Sequence, residues 1–263
     1  MVGVALASAI SQCVSAALIL HALTKVEDCY ALDFKAVQLD PAMTKSILAL
    51  GLPAGFQNAI FAIANLFIQA GVNSFDSLMV KGNSAAANAD NMIYDAMAAF
   101  YMACASFMSQ NYGAGKIDRC KKTMFLCLIE DFIASAVAIA LVLLTGKYIL
   151  AIFNSDPEVI AIGYTRLLFL FGSYIFTLTY EILSGYLRGF GISLAPAILT
   201  LFGVCGMRIF WIKAIFPMHR TFQSILLAYP ISLVTTAVLI FIALLIYRPS
   251  RRFAAHAAET PQT

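Results

Sequence analysis

The amino-acid sequence predicts an all-α integral membrane protein of about seven transmembrane helices, and three observations carry that reading. First, the chain is 61% hydrophobic and only 12% charged, where an ordinary globular domain is roughly half apolar and a quarter charged. With a mean hydropathy of +0.85, its 263 residues expose more apolar surface than water tolerates, so lipid must be the solvent for much of it. Second, apolar runs recur at the length of about 20 residues that a helix needs to cross hydrocarbon. Third, Lys and Arg collect in alternate connecting segments.

In order, the spans are predicted at about 2–23, 47–75, 84–111, 122–144, 154–188, 192–216 and 222–247. The first has no early Lys or Arg and stays apolar up to Leu23, which fits a span better than a cleaved leader. The second carries Gly51, Pro53 and Gly55 near its start, and the third is the most polar. A short amphipathic link is expected at 147–153. The fifth span opens on Asn154, Ser155, Asp156, Pro157 and Glu158; Ser155 with Glu158 reads as a capping box, and Pro157 suits a first helical turn. Pro196 breaks the sixth span early, Pro217 ends it, and Pro230 lies near one end of the seventh. The tail at 248–263 is polar and reads as disordered.

Lys116, Arg119, Lys121 and Lys122, the tail arginines Arg248, Arg251 and Arg252, and Lys25, Lys35 and Lys45 fall on one side if there are seven spans. The positive-inside bias then makes the C-terminus cytoplasmic. There is no basic run of the kind nucleic acid requires. The six cysteines form no CxxC, and His21, His219 and His256 are too dispersed for a metal site. No HExxH, GxSxG or paired metal ligand set supports an enzyme, and no cofactor is expected.

An ionisable side chain at membrane depth is costly, about 2.5–3.5 kcal/mol on insertion scales, so each is a functional candidate. Span three carries Asp90, Tyr94 and Asp95, with Asp90, Tyr94, Met97 and Tyr101 on one face and Asn88, Asn91 and Asp95 on the next. Span five carries Glu181, and span four Glu130 and Asp131, of which at most one faces the same cavity. Arg166 and Arg208 lie at a depth like that of Asp90 and Asp95, and pairing with those aspartates across helices is the least costly arrangement. In span two Gln57, Asn65, Gln69 and Asn73 form a polar stripe interrupted by Phe61, with Asn58 beside it, which interhelical hydrogen bonding alone would also explain.

At several points the sequence resembles the MATE (multidrug and toxic compound extrusion) transporters, and their bacterial branch most. Residues 50–58, LGLPAGFQN, resemble the start of that family's seventh helix. Gly82 and Asn83 with Asn88 and Asp90 resemble the approach to the eighth, and 109–116, SQNYGAGK, its end. Residues 184–189, SGYLRG, resemble the end of the tenth helix; Gly203, Val204 and Cys205 with Arg208 and Trp211 resemble the eleventh.

The resemblance implies one six-helix MATE-type lobe plus one preceding helix. Residues 1–24 would be the last helix of a first lobe, 25–46 a cytoplasmic linker, 47–247 the second lobe and 248–263 a cytoplasmic tail. It implies a multi-pass protein of the bacterial plasma membrane that exports organic cations or drugs in exchange for Na+ or H+. The chain would be a truncated form or would work with a separate first lobe. The family's eighth-helix acidic position falls on Asp90; the places of two further acidic residues fall on Phe61 and Thr177, with Glu181 one turn beyond. Asp90 and Glu181, with Asp95, Tyr94, Gln57 and Asn58, are therefore the expected ion and substrate contacts, and Arg166 and Arg208 the structural ion-pair partners. The alternatives are a lipid-linked oligosaccharide flippase of the wider superfamily, disfavoured by having only two deep cations, and a non-transporting seven-helix membrane subunit.

Overall fold

The computed structural model describes residues 2–26, 31–33, 38 and 40–249; most of the predicted tail and part of the first linker lie outside them. All the described regular structure is helical. Close contacts divide the chain into Met1–Leu48 and Ala49–Thr263. The first unit holds helix α1 (Val2–Lys25), whose apolar side chains, Leu6, Ile10, Val14 and Leu18 among them, are exposed on every side. A helix that is apolar all round and buries nothing suits lipid and not water.

In the second unit, α2 (Pro41–Val72) enters from the boundary, followed by α3 (Ser77–Gly113), α4 (Ile117–Phe153), α5 (Pro157–Phe171), α6 (Tyr174–Gly189) and α7 (Leu194–Thr200). Then α7 passes through a π-helical stretch (Leu201–Gly206), the single turn α8 (Met207–Phe210) and a second π stretch (Trp211–Ile215); α9 (Phe222–Tyr247) closes the unit. Among the described residues, five segments are long and apolar enough to cross a membrane: α1, α2, α4, the α7–α8 rod and α9. The bent pair α5–α6 makes a sixth. The third expected span, α3, has 37 residues and is long enough, but its polar face keeps it below that apolar threshold.

Three details differ from the sequence reading. The link expected at 147–153 is the last part of an unbroken α4, because its apolar pattern lacks any residue that stops a helix. The α5 cap is Asp156, which accepts from Glu158 N–H at 2.9 Å, with Pro157 following it; Asp outcompetes its neighbour Ser155 by standing directly before the proline. The fifth span is not continuous. It breaks at Gly172 and Ser173 and bends by 48°. The Ser173 hydroxyl donates to the Leu170 carbonyl at 2.7 Å, taking up an end-of-helix acceptor, and Gly/Ser pairs are common kink sites.

Helix α3 is the centre of this unit, with α4, α5 and α6 packed around it. Small residues let the backbones approach. A Cβ on Gly185 would lie 2.8 Å from the Tyr101 carbonyl oxygen, and one on Gly189 would overlap Met108, so α6 lies directly on α3. Between them and α4 and α9 lies a core of Cys104, Met108, Cys127, Tyr180, Ile182 and Ile240. Pro53 has no N–H for the Ala49 carbonyl, and the Ser193 hydroxyl reaches that oxygen at 3.5 Å.

Helix α9 begins at a built cap, where the Thr221 hydroxyl accepts from Ser224 N–H at 3.1 Å. Removing it in Thr221→Ala is expected to lower stability by about 1 kcal/mol, read as the SDS unfolding midpoint in mixed micelles.

Candidate functional site

The third helix and the α5–α6 pair each carry a carboxylate that is held by a tyrosine of the opposite element. Tyr174 at the start of α6 donates to Asp90 Oδ1 on α3. Tyr94, one turn after Asp90 on α3, donates to Glu181 Oε1 on α6 at 3.2 Å. This reciprocal exchange follows from spacing: 90 and 94 share an α3 face, and 174 and 181 are two turns apart on α6. Asp90 is half-buried and Glu181 buried, so both are largely removed from bulk solvent.

The break in span five completes the Asp90 site. Arg166, two turns before the break, places Nη2 3.6 Å from Asp90 Oδ2 and donates from Nη1 to the Asn83 carbonyl at 3.0 Å. In a straight helix Arg166 and Tyr174 would be about 12 Å apart along the axis. The bend lets both reach the same carboxylate. Among the described residues, Arg166 Nε and Asn83 Oδ1 are buried with no hydrogen-bond partner.

The expected ion pairing of Arg208 is not what the structure shows. Among the described residues its partners are neutral: Nε donates to Ser232 Oγ at 3.2 Å and Nη1 to Asn65 Oδ1 at 2.9 Å. Its guanidinium lies 4.7 Å from the Tyr229 ring centroid and 5.7 Å from that of Phe61. Arg166 has already taken Asp90, and it lies 5.8 Å from the same Tyr229 ring. Tyr229 thus carries both arginines, and one carboxylate serves two guanidiniums.

The remaining candidates are spread out. Gln57 is buried and accepts from Arg188 Nη2 at 2.7 Å, with Arg188 over the Tyr101 ring. The side chain of Asn58 lies outside the described residues. Asp95 is exposed, on a face with the exposed Asn88 and Asn91, and the structure does not bring it to Asp90 or Glu181. Of the adjacent acidic pair in α4, Glu130 is exposed and Asp131 fully buried, accepting from Ser135 at 2.9 Å. The α2 stripe reaches other helices through Gln57, Asn65 and Gln69, the last accepting from Asn83 at 3.3 Å.

Sequence reasoning missed Tyr174 and Tyr229. Tyr174 had a local signal, a tyrosine directly after a Gly–Ser pair within an apolar span. Tyr229 had a weaker one, its place before Pro230, where the following residue lacks a backbone donor.

Comparison with known proteins gives a consistent result. The MatE family model matches residues 53–211. The probable multidrug resistance protein YoeA of Bacillus subtilis (strain 168) is 22% identical over 173 residues, 66% of this chain and 37% of its own length. The probable multidrug resistance protein YpnP of the same organism is 28% identical over 155 residues, 59% of this chain and 35% of its own. A solved outward-facing multidrug resistance MATE family transporter of the MOP superfamily superposes with a TM-score of 0.78 at 18% identity, over 94% of this chain and 55% of that one. The inward-facing form of such a transporter gives 0.62 at 16% identity. The chain therefore spans about half the length of the solved transporters, and the matched stretch little more than a third of the curated relatives. The fold is an all-α, multi-pass membrane fold.

Proposed function

Because this chain belongs to the MatE family, we propose that it acts as a secondary active transporter, or as the second lobe of one, exporting organic cations and other drugs across a bacterial plasma membrane in exchange for Na+ or H+. The family supplies the premise: its solved members are described as transporters, and the reading is of transport and not of enzymatic chemistry. Residues 47–247 would form the lobe, working with a first lobe.

The observation that carries the coupling role is the reciprocal carboxylate–tyrosine exchange between α3 and α6. Asp90 and Glu181 sit on two helices that meet closely at Gly185 and Gly189, and each accepts a hydrogen bond from the other helix. Taking up or releasing a cation at either carboxylate would therefore change what holds the two helices together. A cation drives a conformational change only through different affinities for the two states, and a hydrogen bond made across a helix pair is lost or kept according to state. The break at Gly172–Ser173 and the prolines Pro53 and Pro230 inside α2 and α9 would provide places where the helices flex.

The test is tetraphenylphosphonium flux in proteoliposomes containing the full chain, under an imposed Na+ gradient and, separately, an imposed pH gradient. Glu181→Gln and Asp90→Asn are each expected to lower gradient-driven flux by about tenfold or more, within the usual range of coupling energies, while leaving passive leak unchanged. The gradient that drives flux identifies the ion. Wild-type flux that ignores both gradients, with a first lobe supplied, would overturn the proposal.

A further inference from the structure

The cluster around Tyr229 has an excess of positive charge. Arg166 and Arg208 are 4% and 5% exposed, and among the described residues Asp90 is the only carboxylate in direct contact with either. Both Asp90 oxygens are engaged, one by Tyr174 and one by Arg166. Arg208 is left with a serine hydroxyl, an amide oxygen and two aromatic faces. An unpaired cation in membrane-spanning helices is costly. Rings and neutral acceptors offset part of that cost, and Asp90, which acts on both guanidiniums, sets one negative charge against two positive ones.

We propose that Arg208, with Asn65 and the rings of Phe61 and Tyr229, is a binding site for an anionic group, a carboxylate or a phosphate monoester, on a substrate with an aromatic or aliphatic body. A guanidinium carries five N–H donors in a planar fork that matches carboxylate and phosphate oxygens. Ser232 and Asn65 occupy two of them. Access is through α2: Asn65 is exposed, yet its Oδ1 sits on Arg208 Nη1, so an anion that displaces the Asn65 amide reaches the guanidinium from the exposed face. Phe61 and Tyr229 are the apolar walls that exclude water and favour a substrate body over a free inorganic ion. The site is separate from Glu181 and does not depend on cation-coupled export.

Trp211, the single tryptophan, lies three residues after Arg208 and donates to the Ser224 carbonyl, so its fluorescence reports on this rod. The full chain is purified into phosphatidylcholine nanodiscs and titrated with sodium benzoate and with phenyl phosphate. Benzyl alcohol and benzyltrimethylammonium serve as the neutral and cationic controls. Saturable responses to at least one anion and neither control are expected, and the stronger of the two anions identifies the preferred headgroup. Arg208→Gln should abolish the response. Because Arg208→Gln removes a buried side chain and can fail to fold, Asn65→Asp is the decisive variant. It places a carboxylate against Arg208 from an exposed position, and is expected to weaken anion binding by about tenfold or more through like-charge repulsion while raising the unfolding midpoint. Equal responses to benzyl alcohol, binding of the ammonium in place of the anions, or unchanged anion affinity in Asn65→Asp would each overturn the site. Loss of gradient-driven tetraphenylphosphonium flux with anion binding intact would count against the transport reading alone.

Discussion

Replacing Arg166 by methionine is expected to destabilise the folded chain by about 3–5 kcal/mol, toward the lower end because the Asp90 side chain keeps 15% of its exposure. The volume of the side chain is largely kept, so packing changes little. What is lost is the 3.6 Å ion pair and the donor to the Asn83 carbonyl, and the carboxylate is left with one tyrosine hydroxyl. Arg208 does not take over, because its guanidinium is held by Ser232 and Asn65. If Asp90 is the cause, Asp90→Asn in the same chain should recover much of the loss, since a neutral amide needs no counter-charge. SDS titration in mixed micelles reads both. A double variant as unstable as Arg166→Met alone would show that Arg166 acts through its contacts with Asn83 and Tyr229 and not through Asp90.

What the sequence made legible was governed by periodicity and by cost. Apolar runs of span length located the helices because every backbone group in lipid must be satisfied within its own segment. Asp90, Glu181, Arg166 and Arg208 stood out because charge at that depth is rare. Local backbone detail was less legible. The break at Gly172–Ser173 lies inside a run that looks continuous on hydropathy alone, and the π stretches at Leu201–Gly206 and Trp211–Ile215 have no composition that marks them. The break decides the site, since it lets Arg166 and Tyr174 meet at one carboxylate. Arg208 shows the same limit: depth alone paired it with an aspartate, whereas direction, set by the π register before it and by Ser232 on α9, gave it neutral partners. Asp95 shared the depth of Asp90 but not its face.

That register makes Gly203 the most sensitive small residue in the α7–α8 rod. A Cβ there would overlap Thr236 Oγ1 and lie 2.8 Å from Thr236 Cα, so Gly203→Ala forces α9 away from the rod. Thr236 has no room to yield: it is fully buried, and its hydroxyl donates to the Ser232 carbonyl at 2.8 Å. Ser232 in turn holds Arg208 Nε. The expected cost is about 1–3 kcal/mol, the usual range for overpacking. Adding Thr236→Ala should recover only part of it, because the backbone contact at Cα remains. Gly206→Ala is the control. Its added methyl would meet nothing closer than 3.8 Å, the Leu201 carbonyl oxygen of its own rod, and Gly→Ala at a helical position without a clash is expected to be neutral or stabilising by about 0.4–1 kcal/mol. The same SDS titration reads all three. Equal losses in Gly203→Ala and Gly206→Ala would mean that the rod needs glycine for backbone freedom; a loss confined to Gly203 places the constraint at the α9 contact that also positions Arg208.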